Sequence, residues 1–199
     1  MKWMLSVMML GMLVGCSVAI PQKSGPGAVW HLQPEKLPVA QQRKEISIVV
    51  AEPWMASGYD TSHVVVSLAN GERDRLADVA WADTHGEWIR NYFIEGLQSS
   101  GAFAAVTGNQ NLHDRLMFVR LYIWDFSIHY ADSVVRNNPV VMAKIAVTVT
   151  NRRGARVMDQ QMIESAFTVS ENRLEPIMAG FSHVMQDVYA QVQSMLLAP

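Results

Sequence analysis

Residues 116–130 read LMFVRLYIWDFSIHY, and this stretch decides the fold. Successive side chains of a strand point to opposite faces, so the two parities of the stretch describe its two sides. One parity, which includes Tyr122, is apolar or aromatic apart from Arg120. The other is apolar as far as Ile123 and then polar, at Asp125, Ser127 and His129. The pattern predicts a long central strand, buried on both faces in its first half and wet on one face in its second.

Further strands are indicated on both sides of this central one. Runs rich in β-branched or alternating apolar residues occur at 28–32, 46–50, 64–68, 103–106, 141–150 and 157–169. The turn residues Asn151-Arg152-Arg153-Gly154 join the last two runs. They predict an antiparallel hairpin with Gly154 at a position of positive φ.

Two segments have a helical period instead. Apolar residues lie on one stripe from Trp88 to Leu97, between a predicted capping box of Thr84 and Glu87 and a left-handed stop at Gly101. A longer amphipathic helix is predicted at 174–196, with a proline in its first turn. The predicted fold class is α+β: a two-layer sandwich of a mixed, mostly antiparallel sheet with the two helices on one face, in a single domain over residues 44–199.

The N-terminus has the layout of a bacterial export signal. Lys2 precedes an apolar stretch, 3–14, that is too short to span a bilayer. Cys16, the only cysteine in the chain, follows it. The residues Leu13-Val14-Gly15-Cys16 resemble the lipobox of bacterial lipoproteins, in which cleavage falls before the cysteine and the thiol is diacylated. We therefore expect a signal peptide at 1–15 and an N-acyl diacylglycerol on Cys16.

The residues after Cys16 bear on how the exported chain is cleaved and where it is sorted. Ser17-Val18-Ala19 also has the small-x-small pattern of an ordinary secretory cleavage site, so secretion without lipid is the alternative. In lipoproteins of this type, Ser17 rather than aspartate as the second residue implies sorting to the outer membrane. The predicted localisation is thus the periplasm-facing side of the outer membrane, through the lipid anchor.

Residues 16–43 are predicted to be the lipidated cysteine and a flexible tether. Prolines at 21, 26, 34 and 38 prevent a continuous helix or central strand there. Within the tether, Ala28 to Leu32 forms a candidate short strand laid on the domain. A tether of about 27 residues at up to about 3.3 Å each reaches at most roughly 90 Å.

Composition and motifs argue against several classes of function. The formal net charge is −2, so no basic field points to nucleic acid. The sequence has no Gly-x-Ser-x-Gly elbow and no glycine-rich phosphate loop, and its six histidines stand singly. Its one thiol is assigned to lipid. We expect no catalytic residue, no metal site and no cofactor beyond the covalent lipid, and hence no enzyme.

The central strand carries a possible acid–histidine pair and a stripe of aromatic side chains. Asp125 and His129 are four residues apart on one face, a separation of about 13 Å along a strand, which predicts that they form no direct dyad. Tyr122, Trp124 and Phe126 share one parity, and such a stripe lines either a lipid groove or the core beneath a helix. The sequence leaves these two interpretations open.

Several motifs together resemble one known family. They are the lipobox, the tether with its short aromatic strand, Trp81-Ala82-Asp83 before the first helix, and Leu97-Gln98-Ser99-Ser100-Gly101-Ala102-Phe103 after it. The combination resembles the ABC-type transport auxiliary lipoproteins, the outer-membrane component of Pqi-type systems that carry an MCE protein. In that family Trp-Ala-(Asp/Glu) precedes the helix and Ser-Gly-x-Phe closes it. Trp81, Asp83, Gly101 and Phe103 are the matching positions here, and we interpret them as structural.

The resemblance implies a non-enzymatic subunit that helps an MCE assembly to bridge the envelope and move lipids. It implies a homo-oligomeric ring, and as partners an MCE-domain periplasmic protein and its inner-membrane permease. Two other functions suit a small tethered α+β lipoprotein: a regulator of a cell-wall synthase, and a lipid-binding protein that acts alone. The limited reach of the tether favours a partner held near the outer membrane.

Overall fold

The computed structural model of the protein describes residues 27–34, 43–109, 116–132, 138–151 and 156–198. The predicted signal peptide, Cys16, most of the predicted tether and Gly154 lie outside these ranges. Within them, no helix combines the length and the hydropathy needed to cross a membrane.

The described residues form nine strands and two helices. In chain order these are β1 Ala28–Trp30, β2 Lys44–Val50, β3 Trp54–Met55, β4 His63–Leu68, β5 Arg73–Trp81, α1 His85–Ser99, β6 Phe103–Thr107, β7 Leu116–Tyr130, β8 Val140–Asn151, β9 Arg156–Thr168 and α2 Leu174–Leu197.

The nine strands belong to one mixed sheet with β7 at its centre. On one side, β7 pairs antiparallel with β8, and β8 with β9, which confirms the predicted hairpin pairing. On the other side, β2, β3 and β4 pair in succession along β7, all parallel to it, so they act as one interrupted strand. β6 lies beyond β2, while β5 and then β1 lie beyond β4. Antiparallel pairing predominates by length, although five of the eight strand pairs are parallel.

A β-bulge at Trp124 changes which parity of β7 faces the core. The register with β8 shifts between Ile123 and Asp125, which leaves Trp124 as the extra residue. Before the bulge the core-facing residues have odd numbers, and after it they have even numbers: Met117, Val119, Leu121 and Ile123, then Phe126, Ile128 and Tyr130. The bulge therefore separates Phe126 from Tyr122 and Trp124, although the three share one parity in the sequence.

Both helices pack on one face of the sheet, as predicted. The apolar stripe of α1 from Trp88 to Leu97 is buried, and so is the stripe of α2 from Ile177 to Leu196. A β-carbon on Gly180 would lie only 3.0 Å from Cγ2 of Val141, so glycine at this position lets α2 approach β8 closely. We call the helix-covered side of the sheet the inner face and the opposite side the outer face.

The ends of α1 differ in part from the prediction. Gly101 has a φ of 66°, which confirms the left-handed stop. The predicted capping box was wrong. The Thr84 hydroxyl donates to the Glu87 carboxylate at 3.3 Å, and neither side chain caps a backbone N–H. Contact between the two side chains replaces the reciprocal bonds to the backbone that define the motif.

Strands β3 and β5 were not predicted from the sequence. β1 was predicted as a short strand laid on the domain, and it is a hydrogen-bonded strand of the sheet. β5 reads RDRLADVAW; most of its length is exposed and Asp78 has a φ of 57°, so no alternating pattern marks it. β1 pairs with β5 over its whole length, and Leu32 just beyond it is 5% exposed. The sheet thus includes residues 28–30, and the segment between Cys16 and the sheet is residues 17–27.

Candidate functional site: the outer face of the sheet

The four family-motif positions lie at the two ends of α1. Trp81 ends β5 and is 2% exposed, with its ring 5.0 Å from that of Trp88 and 5.2 Å from that of Phe181. Asp83 is exposed, two residues before α1 begins. Gly101 and Phe103 follow the other end of the helix, and Phe103 is buried. A helix of 15 residues is about 22 Å long, so the four positions do not converge on one site.

His85, the first residue of α1, is a buried histidine with a strongly shifted pKa. Its ring lies against Phe126 and Trp88, and its side chain has no exposure. The Thr61 carbonyl lies 2.6 Å from Nδ1 and can only accept, so Nδ1 carries the proton. Nε2 is buried and bonds to none of the described residues. Burial lowers the pKa of His85 to about 4, against the smaller opposing effect of the Thr61 carbonyl.

This shift predicts a loss of stability in mild acid. Between pH 6.5 and about 4 the unfolded chain binds a proton on His85 that the folded chain does not, so the free energy of unfolding falls as the pH drops through that window. At about 1.4 kcal/mol per pH unit, the full loss is roughly 3 kcal/mol. Urea unfolding of wild type and His85→Asn at several pH values checks this. The variant should lose that part of the pH dependence, and parallel curves for the two proteins would contradict the assignment.

The outer face carries a ladder of three aromatic rings. Trp54 of β3 stacks on Tyr122 of β7, with ring centroids 3.9 Å apart and planes 24° apart. Trp124, displaced to this face by the bulge, lies 4.4 Å from Tyr122 on the other side. Trp54 is 56% exposed and Trp124 is 47% exposed. We call these three residues the aromatic ladder.

Apolar side chains extend the aromatic ladder across the sheet. The register places Tyr122 beside Ala146 of β8, and Ala146 beside Met162 of β9. Among the described residues, the large hydrophobic side chains that remain exposed are, besides Val29 on β1, all on β3, β7 and β9: Trp54, Trp124, Val157, Met158 and Met162. Of these, Trp54, Trp124 and Met162 lie around Tyr122 on the outer face, an arrangement typical of a contact surface.

A cluster of polar side chains borders the aromatic ladder. Asp125 accepts hydrogen bonds from the Tyr59 hydroxyl at 2.8 Å and the Ser127 hydroxyl at 2.6 Å, and its other oxygen lies 2.8 Å from Nε2 of His129. Ser127 also contacts Ser67 of β4 at 3.0 Å. The predicted separation of Asp125 and His129 was therefore wrong, because the side chains lean toward each other along the strand. Ser127 is fully buried, so the wet face predicted for this half of β7 is only partly wet.

The arrangement of this polar cluster differs from that of a catalytic triad. A triad uses the two ring nitrogens of histidine separately, one toward the acid and one toward the nucleophile. Here Nε2 of His129 faces both Asp125 and Ser127. Burial by itself raises the pKa of Asp125, but the hydrogen bonds from His129, Ser127 and Tyr59 outweigh it and hold the pKa below its ordinary value. Burial and the neighbouring Asp125 carboxylate raise the pKa of Tyr59.

Sequence reasoning named Tyr122 and Trp124 but missed Trp54, Met162 and the role of Tyr59. Trp54 stands alone after Pro53 and belongs to a strand of two residues, which has no pattern to detect. Met162 lies on a strand that was predicted, but its exposure depends on the helices packing on the opposite face, which no local pattern reports. Among the described residues, no group of three or more histidine, cysteine, aspartate or glutamate side chains is placed to hold a metal ion.

Comparison with known proteins finds similarity to solved structures only. No family model matches the sequence, and no curated protein matches it. A Xanthomonas campestris protein described under the family model DUF330 has 17% identity and a TM-score of 0.70, over 83% of this chain and 92% of that one. An uncharacterised protein aligns with 10% identity and a TM-score of 0.64, over 81% of this chain and 99% of that one.

A third solved structure, a hypothetical protein from Chlamydia trachomatis, aligns with 9% identity and a TM-score of 0.52, over 78% of this chain and all of that one. At these identities the comparisons establish the fold and nothing finer. The chain has the α+β fold of the DUF330 structure, with an open mixed sheet covered by two helices on one face.

Proposed function

We propose that this protein is a lipid-anchored accessory subunit of an MCE/ABC-type envelope lipid transport system, held at the periplasmic side of the outer membrane. The observation that supports it best is the short distance in the chain between Cys16, in its lipobox context, and the first strand at Ala28. Eleven residues intervene, and they reach at most about 40 Å when fully extended. A domain on such a tether works close to its membrane.

The docked β1 strengthens the argument from tether length. A tether that ended near residue 43 would reach roughly 90 Å, but β1 pairs with β5, so only residues 17–27 lie between Cys16 and the sheet. This favours a partner that extends to the outer membrane, as an envelope-spanning transport assembly does. It counts against the alternative in which the protein regulates a cell-wall synthase anchored in the opposite membrane.

The remaining parts of the proposal follow from the family resemblance of the motifs at Trp81, Asp83, Gly101 and Phe103. The protein docks on a periplasmic MCE-domain protein that works with an inner-membrane permease, and it does so as a homo-oligomeric ring. Its role is binding rather than catalysis, and its only covalent group is the N-acyl diacylglycerol on Cys16.

Crosslinking in intact cells tests this proposal. The lipidated protein is crosslinked, purified from membranes in mild detergent, and its covalent partners are identified by mass spectrometry. An unrelated outer-membrane lipoprotein processed in parallel shows which partners are background. We expect an MCE-domain protein to be recovered with this chain and not with the control. Recovery of a cell-wall synthase, or of lipid without any protein partner, would contradict the proposal and favour the respective alternative.

A further inference from the structure

The geometry of the aromatic ladder restricts what the outer face binds. Tyr122 lies between Trp54 and Trp124, which cover both faces of its ring. The two tryptophans are each about half exposed and present their remaining ring surface to the solvent. What the ladder exposes is apolar ring surface with the polar atoms of tryptophan and tyrosine, the combination that is enriched where hydrocarbon meets water at a membrane.

The exposed apolar area around the aromatic ladder is comparable to the largest apolar patch of a typical monomer, which is often a binding surface. Trp54 and Trp124, each about half exposed, leave bare on the order of 100 Å² apiece. Met162, which the register places in line with Tyr122 across Ala146, is exposed to a similar extent and adds to this apolar surface. Scattered single residues need no explanation, but three large exposed side chains around one residue of a sheet indicate a partner.

The charges beside the aromatic ladder suit a phospholipid surface. Lys144 is paired with Glu164 across β8 and β9 on this face, so neither charge is left isolated there. Arg120, exposed two residues before Tyr122, donates to the Thr150 hydroxyl at 3.3 Å, and its guanidinium carries further N–H groups that can donate to an anion. Asp125, on the same face, is already supplied with donors by Tyr59 and Ser127. An arginine beside aromatic rings matches a layer in which phosphate lies just outside hydrocarbon.

The length of chain outside the sheet brings this face within reach of a membrane. Residues 17–27 extend to about 40 Å. A domain of this size has a radius of gyration of about 15 Å and hence a diameter of about 40 Å. A membrane anchor at Cys16 therefore lets any face of the domain, including the outer face, contact the bilayer that holds the anchor.

From these observations we infer that the outer face lies on the surface of a glycerophospholipid bilayer, with the aromatic ladder at the level of the headgroups. The inference rests on the lipid anchor of the proposed function. It assigns the outer face to lipid, which leaves the inner-face helices and the sheet edges for protein partners.

Quenching of tryptophan fluorescence by brominated lipid tests the inference. The lipidated protein is reconstituted into phosphatidylcholine vesicles with or without bromine atoms on the acyl chains near the glycerol. The mature chain has five tryptophans, of which two belong to the aromatic ladder. We expect brominated lipid to remove up to about two fifths of the emission. A variant with Trp54→Phe and Trp124→Phe should show no quenching, while Trp30→Phe, on the far strand β1, should keep it.

The outcomes separate this inference from the proposed function. The intact mass of the purified protein reports lipidation of Cys16 independently. If the acyl groups are absent, an N-terminal polyhistidine sequence holds the chain on vesicles that contain a nickel-chelating lipid, and the same quenching is measured. Unquenched wild type, or quenching that persists in the double variant, would overturn the inference. So would crosslinks from the ladder positions to a protein or to a second copy of the chain in place of lipid.

Discussion

Replacing Phe126 by alanine should lower the free energy of unfolding by about 3–5 kcal/mol. Phe126 is fully buried on the inner face, directly after the bulge. Its ring centroid lies 4.9 Å from that of Phe181 on α2 and 5.3 Å from that of Trp88 on α1. The ring therefore joins both helices to the central strand, and truncation leaves a cavity that neither helix can fill alone. Of a total stability of about 5–15 kcal/mol, this is a large share.

The matched control for Phe126→Ala is Trp124→Ala, two residues earlier on the same strand. Tryptophan is the larger side chain, but Trp124 is 47% exposed and its described ring contact is with Tyr122 on the outer face. Its loss should cost less, since about half of its surface stays in water in the folded state and its truncation leaves no enclosed cavity. Urea unfolding of the detergent-free domain measures both variants. Equal costs for the two would show that the bulge does not place them on opposite faces.

The parts of the fold that sequence reasoning predicted are those with a strong local pattern. The stripe from Trp88 to Leu97 and the alternation in β8 each repeat several times, so one irregular residue does not hide them. β5 was not predicted, because charged residues occupy much of this half-exposed strand and its pairing depends on β4 and β1. Only tertiary contacts define such a strand, and no local periodicity reports them.

The outer face was predictable only in part, for related reasons. A bulge adds one residue and has no sequence signature. Because Tyr122, Trp124 and Phe126 are all aromatic and two residues apart, the alternation placed Phe126 on the same face as the other two, whereas the bulge moves it to the opposite face. The pairing of Trp54 with Tyr122 joins residues 68 positions apart, which periodicity does not report. The distance between Asp125 and His129 was derived from the rise of a strand alone. That distance leaves out the length of the two side chains, which approach each other to 2.8 Å.

Replacing Cys16 by serine should move the protein from the membrane fraction to the soluble periplasmic fraction. Serine offers no thiol for the diacylglyceryl group, and the pattern Ser17-Val18-Ala19 then remains as an ordinary cleavage site. Three acyl chains of roughly fourteen methylenes each, at about 0.8 kcal/mol per methylene, supply on the order of 30 kcal/mol of membrane affinity. Fractionation, with the intact mass of the mature chain, measures the change. The described part of the fold begins at Gly27, so the domain itself should fold as before.

The control for Cys16→Ser is Ser17→Asp, the neighbouring position. This change keeps the thiol, so the protein should stay lipidated, but aspartate as the second residue should retain it in the inner membrane. The two variants therefore separate attachment from sorting. If Cys16→Ser stays in the membrane fraction with an unchanged mass, the lipobox interpretation is wrong. In that case the short segment 17–27 no longer limits where the domain works, and the argument from tether length for a partner at the outer membrane fails with it.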